Sequence, residues 1–265
     1  MIRFLYKMRN SMELVTYIGI ALLGLLVGEL INHLIKYLQG QGKLCSVLST
    51  SVEGEKAKWY EYTYFLQYIL CKGKDKRNNA PLPKVYALAG IANALVYIGI
   101  YSVYHISVIG VIYGLCGSVL IILSVIDLRT FEIPIQLNVS ILLLGLIRLG
   151  LDYENWPLYV IGFISVSGFL YLVLLLSTWI LKKEGIGGGD IKLMAAAGLL
   201  LGWKLIVLSL MLGCILGSII HITIMAVKNG EQMLAFGPYL SLGLIIAMIW
   251  GEQLISWYLK LIIIS

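Results

Sequence analysis

The chain has 265 residues, of which 60% are apolar and only 13% are charged, and its mean hydropathy is +0.91. Soluble domains carry about 25% charged residues, so this composition excludes an ordinary soluble enzyme. The net charge of +6 does not by itself indicate a nucleic-acid ligand, because Lys and Arg beside membrane-spanning segments usually set the orientation of the chain. We therefore expect a lipid bilayer, and no nucleic acid, as a partner.

The apolar runs predict an all-α fold: a polytopic helical membrane bundle of about seven or eight spans, since each span needs about 20 apolar residues. The runs, in chain order, are 13–38, 84–105, 107–126, 135–151, 157–181, 191–201, 203–227 and 236–263. The first run lacks a small-x-small cleavage site, so we predict a retained helix rather than a signal peptide. The sixth run is short enough for a half-helix, and the last contains Gly251-Glu252, where we expect a break.

One sizeable hydrophilic segment, 39–83, carries much of the basic charge. It divides the chain into residues 1–83, a first helix with a basic cytoplasmic loop, and residues 84–265, a membrane-embedded core. Because basic loops prefer the cytoplasm, alternation of the later spans places the ends that carry Asp127 and Asp190 at the cytoplasmic face. The basic N-terminal tail conflicts with this topology, but the larger basic cluster outweighs it.

Two aspartates lie at the ends of apolar runs, Asp127 in SVIDLRTFEIP and Asp190 in GIGGGDIKLMAAAG. A carboxylate near the hydrocarbon core costs at least a few kcal/mol, so it usually has a function. Taken singly, Asp127 could pair with Arg129, and Asp190 could stabilise a helix N-terminus. Taken together, two close carboxylates share one proton. The ionised member can then accept a proton from water while the protonated member polarises a peptide carbonyl.

The glycines before Asp190 are the second local signal. Consecutive glycines allow positive φ angles and close approach of another segment, so we expect Gly187, Gly188 and Gly189 to form a loop before Asp190 that another segment can approach closely. The sequence contains no G-x-S-x-G, H-E-x-x-H or C-x-x-C motif that would indicate another catalytic centre. The two aspartates therefore predict an aspartyl protease working at a membrane surface.

These residues carry a resemblance to a known family. GIGGGDIKLMAAAGLLLGW resembles the G-x-G-D segment of the type IV prepilin peptidases, which are membrane aspartyl proteases. DLRTFEIPIQL is similar to the family's first aspartate segment, and LAFGPYLSLG to a third segment with a Phe-Gly-Pro core. ALLGLLVGELINHLI is similar to the family's first helix, with Gly28 and Asn32 at matching places. The four segments occur in the family's order.

The resemblance implies an endopeptidase of the bacterial inner (cytoplasmic) membrane. Such an enzyme removes the basic leader of type IV prepilins or pseudopilins at the cytoplasmic face and needs no metal or other cofactor for cleavage. The implied site residues are the catalytic pair, the loop glycines and a segment that shapes the substrate site: Asp127, Asp190, Gly187, Gly188, Gly189, Phe236, Gly237 and Pro238.

The chain also departs from the family pattern. Many members carry paired C-x-x-C motifs, thought to hold zinc, in the first cytoplasmic loop, where only Cys45 and Cys71 stand here. Two thiolates do not complete a tetrahedral site, so we do not expect zinc. Tyr86 replaces the acid ahead of the second span, and Ile135 replaces a frequent Asp after the proline. The first two departures fall in the part that the resemblance associates with the family's second activity, so we expect the peptidase to be retained and N-methylation to be in doubt, with S-adenosylmethionine needed only if that activity is retained. Ile135, near the peptidase site, could alter substrate choice.

Three alternatives remain open at this point. A proton-coupled transporter would carry acids deep within its spans and inverted repeats, neither of which the sequence displays. A non-catalytic membrane scaffold would not need both aspartates. A presenilin-like protease shares G-x-G-D but has a Tyr-Asp pair in the partner helix, whereas Ile126 precedes Asp127 here.

Overall fold

The computed structural model describes residues 2–38, 84–182, 187–228 and 235–264. This part of the chain contains eight α-helices and a single 3-10 turn. The helices are α1 (Ile2–Leu38), α2 (Lys84–Tyr104), α3 (Val108–Thr130), α4 (Ile135–Leu151), α5 (Trp156–Leu181), α6 (Gly188–Leu201), α7 (Trp203–Lys228) and α8 (Gly237–Ile264). The predicted all-α class is confirmed.

Six of the described helices are long and apolar enough to cross a membrane, namely α1, α2, α3, α5, α7 and α8. The helix α4, with 17 residues, is apolar but shorter. Large apolar side chains are exposed along these helices, as at Leu22, Leu95, Leu143, Leu175 and Trp257, where a bilayer would cover them. The chain is a multi-pass helical membrane protein.

The chain divides into two compact units, Met1–Val125 and Ile126–Ser265. The predicted boundary at 83/84 lies at the edge of segment 39–83. That segment is outside the described residues, so the boundary and the cytoplasmic placement of the loop stay predictions. In the first unit, Gly28 allows close approach of α1 and α2, since a Cβ there would lie 2.7 Å from the Cα of Gly90. Asn32 Nδ2 donates a hydrogen bond of 3.0 Å to the carbonyl oxygen of Tyr86.

The second unit is also held together by small residues where helices touch, as is usual in membrane bundles. Gly162 of α5 faces Gly198 of α6 so closely that neither has room for a side chain. Gly202, with φ +77°, ends α6 and lets α7 begin at the next residue. The short sixth run therefore corresponds to a helix of 14 residues.

The predicted break at Gly251-Glu252 is wrong, because α8 continues through both residues. Gly251 is buried, and a Cβ there would meet Cδ2 of Leu205 at 2.5 Å. This glycine therefore serves packing against α7 rather than a change of direction. Glu252 is exposed, so its charge does not have to be buried.

Candidate active site

Asp127 lies in the last turn of α3. The N–H of Phe131 donates to the Asp127 carbonyl at 2.9 Å, and the helix ends there because Phe131 adopts φ +55°. A left-handed conformation is uncommon for a bulky residue and ends a helix sharply. Pro134, with ψ 131°, then serves as N-cap of α4. The predicted helix end after Asp127 and restart after Pro134 are both confirmed.

Asp190 lies in the first turn of α6, whose N-cap is Gly187. Gly187 has φ −68°, and Gly188 and Gly189 are already the first residues of α6, so the predicted loop ends at Gly187 and none of the three glycines has a positive φ. Close approach is confirmed for one of them. A Cβ at Gly189 would lie 3.0 Å from Cβ of Ile133, whereas a Cβ at Gly188 would meet nothing within 4 Å.

The two aspartates line one cleft in the second unit, although they come from segments far apart in sequence. The cleft has a volume of about 320 Å³, and both aspartates are buried at its wall. Its other lining residues come from the α3–α4 connection, the first residue of α4 and the start of α6: Phe131, Glu132, Ile133, Ile135, Gly187, Gly188, Gly189 and Lys192. Ile135, the departure noted after the proline, is therefore a cleft residue.

The Asp127 carboxylate is hydrogen-bonded to the start of α8. Its Oδ2 accepts the backbone N–H of Gly237 at 2.9 Å. The next three residues of α8 do not donate to this carboxylate. Pro238 has no N–H, and the N–H groups of Tyr239 and Leu240 donate to the carbonyl of Phe236 at 3.1 and 3.2 Å. A backbone N–H at a helix N-terminus favours the ionised form of the carboxylate that accepts it.

The Asp190 carboxyl lies in α6, which is not one of the six helices long enough to cross a membrane. Burial, and to a lesser extent the neighbouring Asp127 carboxylate, raise the pKa of Asp190 to about 7. Asp190 is therefore protonated in a large share of molecules at neutral pH. The cleft thus combines a carboxyl group that accepts a backbone N–H, that of Asp127, with a buried carboxyl group whose pKa is raised, that of Asp190.

The third predicted segment contributes to the cleft indirectly. Gly237 reaches Asp127 through its N–H, while Phe236 and Pro238 are outside the set of cleft-lining residues. Phe236 is partly buried and its ring lies beside Gly217, where a Cβ would be 3.5 Å from Cε2 of Phe236. Pro238 is buried. The role of these residues in shaping the substrate site stays a prediction.

Several cleft neighbours were missed from the sequence. Glu132 and Lys192 are exposed charges at the cleft. Asn138 of α4 donates from Nδ2 to the Gly189 carbonyl at 3.3 Å. The sequence gives only a weak signal for Asn138, because Gln136 and Ser140 make the first turns of α4 polar as well.

Among the described residues, no group of three or more His, Cys, Asp or Glu side chains is arranged to hold a metal ion. Cys45 and Cys71 lie in segment 39–83, outside the described part of the chain. Cys116 and Cys214 are described and are not disulfide-bonded.

The sequence profile of the type IV leader peptidase family matches residues 114–222, which include both aspartates. The prepilin leader peptidase/N-methyltransferase of Aeromonas salmonicida is 33% identical over 206 residues, which are 75% of this chain and 69% of that protein.

Two further relatives carry the same name. The protein from Pseudomonas aeruginosa is 29% identical over 215 residues, 78% of this chain and 72% of its own length. The protein from Legionella pneumophila is 27% identical over 273 residues, 92% of this chain and 94% of its own length. No solved structure matches the chain.

Proposed function

Because this chain belongs to the type IV leader peptidase family, we propose that it is a membrane aspartyl endopeptidase that removes the leader from type IV prepilin or pseudopilin precursors. The observation that carries the proposal is the shared cleft, in which Asp127 and Asp190 are both buried. The curated relatives support the substrate class through their names. A carboxyl pair sharing one proton supplies both the base and the acid that peptide hydrolysis needs.

In the proposed mechanism, Asp127 is the base. Its carboxylate, oriented by the N–H of Gly237, accepts a proton from a water molecule as the water oxygen attacks the scissile carbonyl carbon. Protonated Asp190 donates a hydrogen bond to the carbonyl oxygen and transfers its proton as the tetrahedral intermediate forms. On collapse the carbonyl re-forms and returns that proton to Asp190, while the proton on Asp127 passes to the leaving amine. No acyl-enzyme is formed.

The glycines and the third segment have supporting roles in this proposal. Gly187 leaves room for the Asp190 carboxyl, since a Cβ there would lie 3.2 Å from its Oδ2. Gly189 lets α6 approach the α3–α4 connection, and Gly188 faces open space. Phe236 and Pro238 flank Gly237 at the start of α8. The Phe236 carbonyl accepts the N–H groups of Tyr239 and Leu240, and Gly237 donates its N–H to Asp127.

We place the cleft at the cytoplasmic face of the bacterial inner membrane. Three exposed basic residues support this orientation, because Arg129, Lys182 and Lys192 lie close in sequence to the two aspartates. The acidic residues Asp152 and Glu154 follow the opposite end of α4, where Asp152 pairs with Arg148. A substrate whose apolar helix lies in the bilayer can then present its leader junction to the cleft from the cytoplasmic side.

We propose that the chain does not methylate the new N-terminus. The curated relatives are named N-methyltransferases as well as peptidases, and S-adenosylmethionine would be needed only for that second step. Tyr86 stands at the position of the family's acid and is buried. The Lys36 ammonium lies over the Tyr86 ring, 5.4 Å from the ring centre. No carboxylate is therefore available from this position.

The test is cleavage of a synthetic pilin-like precursor by the protein reconstituted in liposomes. Asp127→Asn and Asp190→Asn should each abolish cleavage, whereas Asp152→Asn, a matched change outside the cleft, should leave the rate unchanged. Cleavage by either cleft variant at the wild-type rate would exclude the aspartate pair. Product masses with S-adenosylmethionine present should correspond to the free, unmethylated N-terminus.

A further inference from the structure

Asn138 is a buried polar residue in the first turn of α4. Its side chain is 4% exposed, and its Nδ2 donates to the Gly189 carbonyl at 3.3 Å. Its Oδ1 has no hydrogen-bond partner among the described residues. A buried amide that is only half satisfied destabilises a protein relative to an apolar side chain of similar size, so packing alone does not account for asparagine here.

The carbonyl that Asn138 contacts belongs to the peptide group that joins Gly189 to Asp190. Gly189 also packs closely against Ile133, since a Cβ at Gly189 would lie 3.0 Å from the Cβ of Ile133. The α3–α4 connection and the start of α4 thus hold this peptide at two points, by contact with Ile133 and by the hydrogen bond from Asn138. Asp190 itself faces the cleft.

We propose that Asn138 is a positioning residue that fixes the Gly189–Asp190 peptide and thereby orients the Asp190 carboxyl toward Asp127. The inference rests on the proposed function, because it assigns a role within the same aspartate pair. Asn138 is outside the cleft-lining set, so it acts through Asp190 and not through contact with substrate. Loss of its hydrogen bond should therefore lower kcat and leave KM nearly unchanged.

The first test replaces the donor while keeping the shape of the side chain. Asn138→Asp presents only acceptor oxygens to the Gly189 carbonyl when ionised, but the introduced carboxyl can donate its proton when protonated. We expect kcat to fall at least tenfold at about pH 8 and to recover as the pH is lowered. Asn138→Leu, which cannot donate at any pH, should lose a similar factor without recovery.

The cleft contains other charged groups, namely Asp127, Asp190, Glu132 and Lys192. Their titrations affect wild type and variant alike, so the informative quantity is the ratio of variant to wild-type kcat at each pH. A ratio for Asn138→Asp that rises as the pH falls supports the positioning role. A ratio that is flat and within twofold of one would overturn it.

Asn32 offers a matched control. It is also buried, also donates from Nδ2 to a backbone carbonyl, that of Tyr86, and also has an unpaired Oδ1. Asn32→Asp and Asn32→Leu should reduce the yield of folded protein, but the kcat of the folded fraction should keep the wild-type pH profile. An equal, pH-dependent loss of kcat in the Asn32 variants would mean that general stability, not positioning, explains the Asn138 effect.

A second measurement does not depend on catalysis. In a chain whose four native cysteines are replaced by alanine, Asp127→Cys and Asp190→Cys can be joined by a short bifunctional thiol reagent. Adding Asn138→Leu should slow this cross-linking severalfold, while adding Asn32→Leu should not. Unchanged cross-linking would overturn the inference. If the wild-type chain fails to cleave precursors but cross-linking of the cysteine variant still depends on Asn138, the proposed function is refuted and the positioning role stands.

Discussion

The backbone N–H of Gly237 donates a hydrogen bond of 2.9 Å to Oδ2 of Asp127, across 110 positions in the sequence. The bond joins the end of α3 to the beginning of α8, and it gives the Phe-Gly-Pro segment a defined contact with the cleft. Of the first amides of α8, only that of Gly237 is directed to this carboxylate, because Pro238 lacks an N–H and the next two amides donate to Phe236.

Removal of the Gly237 amide should impair catalysis more than folding. Proline is tolerated in the first turn of a helix and has no N–H, so Gly237→Pro deletes the donor while α8 can still form. A hydrogen bond to a charged group contributes about 1.5–3 kcal/mol, which corresponds to a loss in kcat of roughly 10- to 100-fold if the bond acts in the transition state. Gly237→Ala, which keeps the N–H, is the control. Equal activity of the two variants would remove Gly237 from the mechanism.

Activity should depend on the protonation of Asp190. Its pKa is raised to about 7, so the protonated form required of the acid predominates below that value and is lost above it. We expect kcat to fall as the pH rises through about 7. Initial rates across a pH series in liposomes would measure this, and Asp152→Asn should follow the same curve. A kcat that stays constant to about pH 9 would contradict the assignment of Asp190 as the acid.

The same shift predicts how stability depends on pH. The folded-state pKa of Asp190 lies above its ordinary value of 3.8, so the folded chain retains a proton that the unfolded chain has released. This contribution to stability is fully present below about pH 4 and is lost as the pH rises to about 7. Asp190→Asn should reduce the change in stability between about pH 4 and pH 7, as measured by the Tm of the protein in detergent across this pH range. An identical pH dependence in the variant would indicate that Asp190 is not the responsible group.

The glycines before Asp190 should differ in their tolerance of alanine. A methyl group at Gly189 would lie 3.0 Å from Cβ of Ile133, whereas one at Gly188 would meet nothing within 4 Å. Gly189→Ala should destabilise the fold by about 1–3 kcal/mol, the usual cost of overpacking, and should lower activity; Gly188→Ala should do neither. Ile133→Gly, which removes the Cβ that the new methyl group would meet, should partly restore a Gly189→Ala chain. No rescue, with both single variants folded, would mean that this contact does not set the requirement for glycine.

The turn between α4 and α5 should matter for stability and not for catalysis. Asp152 accepts hydrogen bonds from Tyr159 Oη at 2.6 Å and Asn155 Nδ2 at 2.9 Å, and its Oδ2 lies 3.4 Å from Arg148. The bond from Tyr159, followed by those from its other partners, lowers the pKa of Asp152 below 3.8. Its stabilising effect is therefore present above about pH 4 and is lost as the pH falls through the lowered pKa. Tyr159→Phe should lower the Tm at neutral pH and leave kcat unchanged.

Much of the fold follows from local sequence. The predicted run 203–227 corresponds to Trp203–Lys228, and the run 135–151 to Ile135–Leu151, because apolar runs of this length have few alternatives to a helix. The predicted break at Gly251 is wrong because a glycine in a helix can serve either flexibility or close packing. Local sequence does not distinguish the two, whereas the position of Leu205 does.

The residues of the candidate site were likewise predicted only in part from the sequence. Asp127 and Asp190 were found from the sequence because a carboxylate at the end of an apolar run stands out against its own neighbours. Asn138 was missed because it stands between Gln136 and Ser140, two other polar residues of α4, and because its partner, the carbonyl of Gly189, lies 51 positions away. None of Gly187, Gly188 and Gly189 adopts the positive φ that glycine allows, and at Gly189 it is the contact with Ile133 that leaves little space for a side chain.

By itself the sequence determined that this chain is a helical membrane protein and which acids stand at the ends of its helices, because hydropathy and charge are properties of contiguous residues. Only the tertiary structure decided that Gly237 holds Asp127, that Asn138 and Ile133 hold the peptide before Asp190, and that the two carboxyls line one cleft. These relationships join segments far apart in the chain. They depend on how the helices pack, which no local pattern of residues encodes.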